Sequence, residues 1–350
     1  MKLGKPELRV AAIEVVIRKK LFAPRLLLCL LGLCLSAIAQ EATFTTFDPP
    51  GSIFTSPVSI NQAMAITGWY VDGSNVYHGF LRNSSGVITS FDPPGSTLTT
   101  AASINTAGAI TGSYKDASGV SHGYLRSPRG TITTFDAPAA TETVASGINS
   151  EGAITGSYLD ASGDQGFLRS PDGAFTTFDP TGSASPTETD PVSINQAGEI
   201  AGSYYGTDAL SHGFLRSPDG TFTTFDPSGS KDTFVYSINR ASVIAGNYFD
   251  ASFVLLGFVR SCSGAITIID PPGAAVTYAV GIDDVGTITG PYAGTDLVYH
   301  GYLRSSDGTF TTFDPPGSTG TSPSSINEAG AIAGSYTDGS GVHGFLRSPK

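Results

Sequence analysis

The sequence predicts an all-β protein, a seven-bladed β-propeller closed by its own N-terminal strand. Three observations carry this. A unit of about 44 residues recurs from residue 43 to the end, each copy holds four strand-like runs, and the two chain ends carry complementary incomplete copies. Repeats of roughly 40–45 residues with four strands each are the mark of propeller blades.

The repeat is fixed by three landmarks. An Asp that closes Phe-Asp or Ile-Asp falls at Asp48, Asp92, Asp136, Asp179, Asp226, Asp270 and Asp314. The polar residue after Ser-Ile or Gly-Ile falls at Asn61, Asn105, Asn149, Asn195, Asn239, Asp283 and Asn327, and the Arg ending the Gly-Phe-Leu-Arg type at Arg82, Arg126, Arg169, Arg216, Arg260, Arg304 and Arg347. Within the copy that starts at Ser193, strands are expected at the Ser-Ile-Asn run, at Ile-Ala-Gly-Ser-Tyr, at His-Gly-Phe-Leu-Arg and at Thr-Phe-Thr-Thr-Phe-Asp. Ser-Pro-Asp-Gly between the third and fourth makes a hairpin turn. Asp116–Gly119 and Asp160–Gly163 separate second from third strands. The Pro-rich stretch after the fourth strand ends pairing, because Pro has no ladder donor.

The chain enters on a fourth strand, Thr43 to Asp48, and leaves after a third, Gly344 to Arg347. Joined, these halves complete one blade and remove an exposed sheet edge. The expected blades are about 58–92, 102–136, 146–179, 192–226, 236–270, 280–314, and 324–347 with 43–48, in one domain over 40–350.

Residues 1–39 read as a secretory signal peptide. Lys19, Lys20 and Arg25 precede an apolar run from Leu26 to Ala39 that ends in Ala37-Ile38-Ala39. The run is short for a bilayer span, so no stable span is expected after cleavage. The 25 residues ahead of it are long for such a peptide, which leaves a later start or an uncleaved anchor open. The expected location is secreted, cell-surface or periplasmic. Cys262 is the only Cys beyond the run, so no disulfide within the mature chain is expected.

Net charge is −11, and residues 40–350 hold 12 basic and 28 acidic residues. Such a surface repels phosphate backbones and argues against nucleic acid as a partner. The units also resemble the HAF-type extracellular repeat family, with His-Gly-Phe or His-Gly-Tyr at the family's equivalent block, over about residues 43–350. That resemblance implies an exported bacterial protein of unassigned activity and transfers no catalytic residue.

His78, His122, His212, His300 and His343 occupy one repeat position, where the other copies have Gln165 and Leu256. Copies spread over separate units cannot converge on one ion, so a structural role is expected. Setting Arg126 opposite Ile132 places His122 opposite Asp136, His78 opposite Asp92 and His212 opposite Asp226. The same count places His300 opposite Asp314. A His–Asp hydrogen bond would clip each hairpin end, in a role like the buried polar network of WD-type propellers. Gln165 is expected to substitute against Asp179; Leu256 cannot, so the fifth blade should be the loosest. The recurrent Arg and Asp residues are expected to form ladder or inter-blade charge pairs.

No motif of a nucleophile elbow, phosphate loop or zinc protease occurs, and no catalytic, cofactor or metal residue is assigned. Calcium is the one ion an Asp-rich exported chain could recruit, but no EF-hand loop occurs. Function should therefore lie in departures from the repeat. Trp69, beside Tyr70, is either a sugar-stacking platform or a large core filler. Glu142, Glu188 and Asp190 lie between blades, and Tyr205, Tyr236, Tyr278 and Tyr299 add aromatic surface. The expected function is a monomeric, non-catalytic scaffold that binds glycan or protein. The alternatives are a polysaccharide hydrolase or lyase using a hidden carboxylate pair, and a purely structural envelope module.

Overall fold

A computed structural model describes residues 42–184 and 187–349. The expected signal peptide lies outside the described residues. Among the described residues, no helix is long and apolar enough to cross a membrane.

The fold is all-β and of propeller type. The first strands are β1 (Thr43–Phe47), β2 (Ser52–Ile60), β3 (Ile66–Asp72), β4 (Tyr77–Arg82) and β5 (Ile88–Phe91). Strands β2 to β5 form one antiparallel meander. The same arrangement recurs over 98–135, 142–178, 187–225 and 232–269, and over 276–313 with the first strand split into Val276–Thr277 and Gly281–Ile282. The last unit has three strands, Gly320–Ile326, Ile332–Thr337 and Val342–Ser348. Its fourth is β1, antiparallel to Val342–Ser348, with Thr43 opposite Ser348 and Phe47 opposite Gly344.

First strands begin four to six residues earlier than the sequence expectation. The reason is local. The turn after the fourth strand is tight, as in Ser96 N–H to Pro93 O at 3.1 Å. Pairing then resumes at once but is broken by a bulge, between Ala101 and Ser103 in the second unit and at matching places in most others. A bulge shifts the period-2 alternation and hides the first half of the strand.

The core sits between neighbouring units. Phe91 of β5 packs with Ile104, Ile110 and Tyr124 of the second unit. The third-strand Gly makes room for the Phe that ends the fourth strand. A Cβ on Gly166 would lie 2.3 Å from the Phe178 ring, and one on Gly123 would lie 2.4 Å from Phe135.

The Arg landmarks do not pair with the Asp landmarks. Arg82 stacks over Phe47 at 5.0 Å, Arg126 over Phe91 at 4.9 Å, Arg216 over Phe178 at 4.9 Å and Arg347 over Phe313 at 4.9 Å. Each is a cation–π contact onto the preceding unit's fourth strand. The expected charge pairs fail because the two landmarks lie at opposite ends of the hairpin: Arg126 is opposite Ile132, four residues from Asp136. Burial lowers the pKa of these guanidinium groups. Position 269, which corresponds to these Phe residues, is Ile, and no ring lies under Arg304 among the described contacts.

At the turn between first and second strands, the Asn side chains link unit to unit. Asn61 Nδ2 donates to Asn105 O at 3.0 Å, and Asn105 Nδ2 to Asn149 O at 3.0 Å. Asn149 reaches Asn195, Asn195 reaches Asn239, and Asn239 reaches Asp283. Asn327 Nδ2 donates to Asn61 O at 3.0 Å.

Candidate functional site

At the opposite end of the strands, each His begins a third strand. The Nδ1 atoms lie 2.7 Å from Asp92 in His78, 2.9 Å from Asp136 in His122 and 2.7 Å from Asp226 in His212. His300 meets Asp314 at 2.7 Å, and His343 meets Asp48 at 2.7 Å. A second acid, at the turn before the third strand, faces Nε2 in four units: Asp72 at 3.5 Å, Asp116 at 3.6 Å, Asp208 at 3.0 Å and Asp338 at 3.2 Å. The fourth-strand Asp also accepts a Thr hydroxyl from the next unit, Thr55 to Asp48 at 2.5 Å and Thr233 to Asp226 at 2.6 Å. An acid–His–acid–Thr chain therefore crosses the unit boundary.

These groups are not buried as in a WD-type network. The imidazoles are 19–34% accessible, and the Asp partners about a third to a half. Gln165 does not turn to Asp179. It donates to Asp160 at 3.0 Å and accepts from the Tyr158 hydroxyl at 2.8 Å, which satisfies both ends of the amide without Asp179. Leu256 packs against the apolar cluster around Tyr248.

Partial burial alone would lower the imidazole pKa of His78, His122 and His212, but their two acids outweigh it and raise it. In His343 the Asp48 hydrogen bond is the largest cause, and the pKa is again raised. Backbone N–H groups of Val76 and Val120 hold Asp72 and Asp116 low, and His212 holds Asp208 low. Ser340 takes Asp338 down to about 2. A raised imidazole adds stability below about pH 6.5 that is lost as pH rises through its folded value. A lowered carboxyl adds stability above about pH 4 that is lost as pH falls. The clips should therefore stabilise most between about pH 4 and 6.5. Replacing His122→Leu should lower the unfolding free energy by about 1 kcal/mol at pH 6, less at pH 9, and leave ligand binding intact. Equal stability of variant and parent at pH 6 in urea titrations would contradict a clip.

The departures from the repeat separate into two groups. In the first unit, Trp69 is half-buried, with Phe54 stacked on it at 5.3 Å and 11°, and Tyr77 at 5.2 Å. Both faces carry neighbours, so a sugar would reach mainly its edge. Tyr70 is buried in the first core cluster, and its hydroxyl donates to Ser90 Oγ at 3.0 Å.

The second group gathers over the third to seventh units. A cavity of about 290 Å³ is lined by Asp164, Glu188, Asp190, Tyr205 and Phe234. Asp164 is brought opposite Glu188 where the third strand of the third unit meets the first strand of the fourth in parallel. Burial raises the Asp164 carboxyl, and Glu188 and Glu142 add to it. Water reaches the Asp190 side chain, yet protein surrounds the concavity. That loss of bulk solvent, with the charge of Asp164, raises its carboxyl too.

A cavity of about 500 Å³ is lined by Tyr236, Tyr278, Tyr299, Pro291 and Pro323. Tyr278 and Tyr299 lie 6.3 Å apart, inclined at 53°. Burial raises the Tyr278 phenol, with Tyr299 and Tyr236 contributing. Burial also raises Tyr236, with the charge of Asp190 added. Tyr236 thus lies within reach of the Asp190 charge, and it also lines a central cavity of about 490 Å³. Asp164 was missed at the sequence level. The signal was present, since Ser121 and Ser211 hold the equivalent position before His122 and His212.

Chemically, the site offers carboxylate acceptors beside flat aromatic walls. A carboxyl of raised pKa also keeps its proton to a higher pH than a free one. Among the described residues, no group of three or more His, Cys, Asp or Glu is arranged to hold a metal ion.

No family model matches the chain, and no curated protein matches it in sequence. Among solved structures it is similar to a streptogramin B lyase, at 12% identity over 88% of this chain and 98% of that one, with a TM-score of 0.59. It is similar to a catalytically inactive virginiamycin B lyase from Staphylococcus aureus solved with quinupristin, at 13% identity over 88% and 100%, TM-score 0.60. It also matches a prolyl endopeptidase at 12% identity over 82% of this chain but 47% of that one, TM-score 0.59. At such identities the likeness shows the propeller fold alone.

Proposed function

We propose that this chain is an exported, non-catalytic, glycan-binding propeller of seven blades, whose ligand lies across the tyrosine-lined and acid-lined cavities of its third to seventh units. The observation that carries this is the gathering of repeat-breaking residues. Glu188 and Asp190 share one cavity with Asp164, and Tyr236, Tyr278 and Tyr299 share its neighbour. On a scaffold of near-equal units, function sits where the units differ. Tyrosine faces suit the C–H faces of sugars, and carboxylates accept hydrogen bonds from hydroxyls. Seven-bladed closure is supported by the pairing of β1 with Val342–Ser348 and by the Asn327 link back to Asn61. The resemblance to HAF-type repeats agrees with an exported role.

A glycan array and a reducing-end assay on residues 40–350 test the reading. Binding without turnover is expected, and Tyr278→Ala or Tyr299→Ala should weaken it about tenfold, roughly 1.4 kcal/mol. Undiminished binding by both variants would remove the site from the reading.

The second reading is a polysaccharide hydrolase or lyase. It is favoured by the raised carboxyls of Asp164 and Asp190 in one cavity, since a general acid must hold its proton near working pH. Reducing ends released by the parent but not by Asp190→Asn would favour it.

A further inference from the structure

At the end of the strands away from these cavities, six Asn side chains repeat one geometry. Oδ1 caps its own turn by accepting from residues two and four ahead, as Asn105 does from Ala107 N–H at 3.1 Å and Ala109 N–H at 2.9 Å. Nδ2 then donates to the backbone carbonyl of the next landmark residue, at 2.9–3.3 Å in all six. The seventh position is Asp283. Its Oδ1 caps in the same way, accepting from Val285 N–H at 3.1 Å and Thr287 N–H at 2.7 Å. Asp283 is buried, 3% exposed. By the repeat, its second carboxyl oxygen takes the place that the other six give to an amide donor, and the acceptor due at that place is the Asn327 carbonyl. Two oxygen acceptors cannot face one another in a buried seam without a hydrogen between them.

We infer that Asp283 is a neutral carboxylic acid in the folded protein at pH 7 and that its proton donates to the Asn327 carbonyl, completing the series of inter-unit links. The seam between the sixth and seventh units is then the one link in the series that titrates.

The surroundings favour the proton. Burial is the largest effect and pushes the Asp283 carboxyl up, against hydrogen bonds from the Thr287 backbone and hydroxyl and from the Val285 and Gly286 backbone that pull it down. The charged neighbours are mostly acids. Asp284 adjoins it on its own turn, and Glu328 of the seventh unit accepts from Asp284 N–H at 3.0 Å. Burial raises Glu328 as well, and the charges of Asp284 and Asp283 add to this. From the fifth unit comes Arg240, but it is spent on Asp284, 3.4 Å away, and is itself largely exposed.

The sign of the effect follows from linkage. A buried carboxyl with a raised pKa costs nothing while the unfolded chain is also protonated, below about pH 4. The cost grows as pH rises from there to the folded pKa, then levels off. Asp283→Asn supplies a permanent donor. Its melting temperature should exceed the parent's by a margin that widens by at least about 2 °C between pH 4 and pH 8. A margin that stays constant across that range would overturn the inference. The parent protein supplies a second readout that needs no stable variant. Carboxyl carbon-13 resonances of aspartate-labelled protein should show a protonated Asp at pH 7, assigned by its loss in Asp283→Asn. An ionised Asp283 resonance at pH 7 would equally overturn it.

Discussion

Removing residues 42–48 should cost the protein more than about 5 kcal/mol of unfolding free energy, or prevent folding altogether. Three losses add up. Phe47 is buried, lies 6.0 Å from Phe80 ring to ring and carries Arg82 on its face at 5.0 Å. Losing a buried Phe costs about 3–5 kcal/mol on its own. The ladder from Thr43 to Phe47 goes too, leaving Val342–Ser348 as an open edge able to pair with other chains. The third loss is Asp48, which holds His343 at 2.7 Å and Thr55 at 2.5 Å and so joins last unit to first. Against a typical total of about 5–15 kcal/mol, this is a large share. Urea unfolding followed by fluorescence measures it, and a truncated protein with an unchanged midpoint would contradict the role given to β1.

Gly166→Ala should destabilise by about 3 kcal/mol, a large effect for one methyl group. The added Cβ would sit 2.3 Å from Cε2 of Phe178, whose ring is held in the next unit's core cluster. Overpacking of this kind forces off-rotamer side chains and backbone shifts. The protein contains its own control. At Gly257 the facing residue is Ile269, and the nearest atoms to an added Cβ are at 3.2 and 3.3 Å. Gly257→Ala should therefore cost about 1 kcal/mol or less. Similar losses for the two variants in denaturant titrations would show that the third-strand Gly is not there to admit the Phe.

Those two residues illustrate what the sequence could and could not convey. Spacing of landmarks located the repeat, because a unit length is preserved whatever its strands do. Hairpin register about Ser-Pro-Asp-Gly could be counted residue by residue, which is why His122 and Asp136 could be named as a pair. The Arg–Phe stacking could not be counted. Arg126 meets Phe91 of the preceding unit, and no local pattern marks a partner 35 residues upstream. Bulges hid the starts of the first strands for the same reason, since alternation fails where an extra residue enters. Gln165 satisfies Asp160 rather than Asp179, a choice that the strand register does not dictate.

The candidate site divides in the same way. Glu188, Asp190, Tyr236, Tyr278 and Tyr299 stand out singly as breaks in the repeat. Their grouping depends on which strand starts share a cavity, and Asp164 joins them through a parallel bridge to Glu188 that has no sequence signature. Trp69 drew attention by being the only Trp, yet its environment is set by Phe54 and Tyr77 on the two flanking strands.

The account rests on the two chain ends sharing one sheet, and a cross-link tests that most directly. Thr43 and Ser348 are register partners, Thr43 being exposed. Antiparallel partners have Cα atoms about 4.5–5.5 Å apart, inside the reach of a disulfide. In a Cys262→Ser background, Thr43→Cys with Ser348→Cys should oxidise to an intramolecular bridge in the monomer and raise the melting temperature. Free thiols after oxidation, or bridges formed only between molecules, would contradict the account.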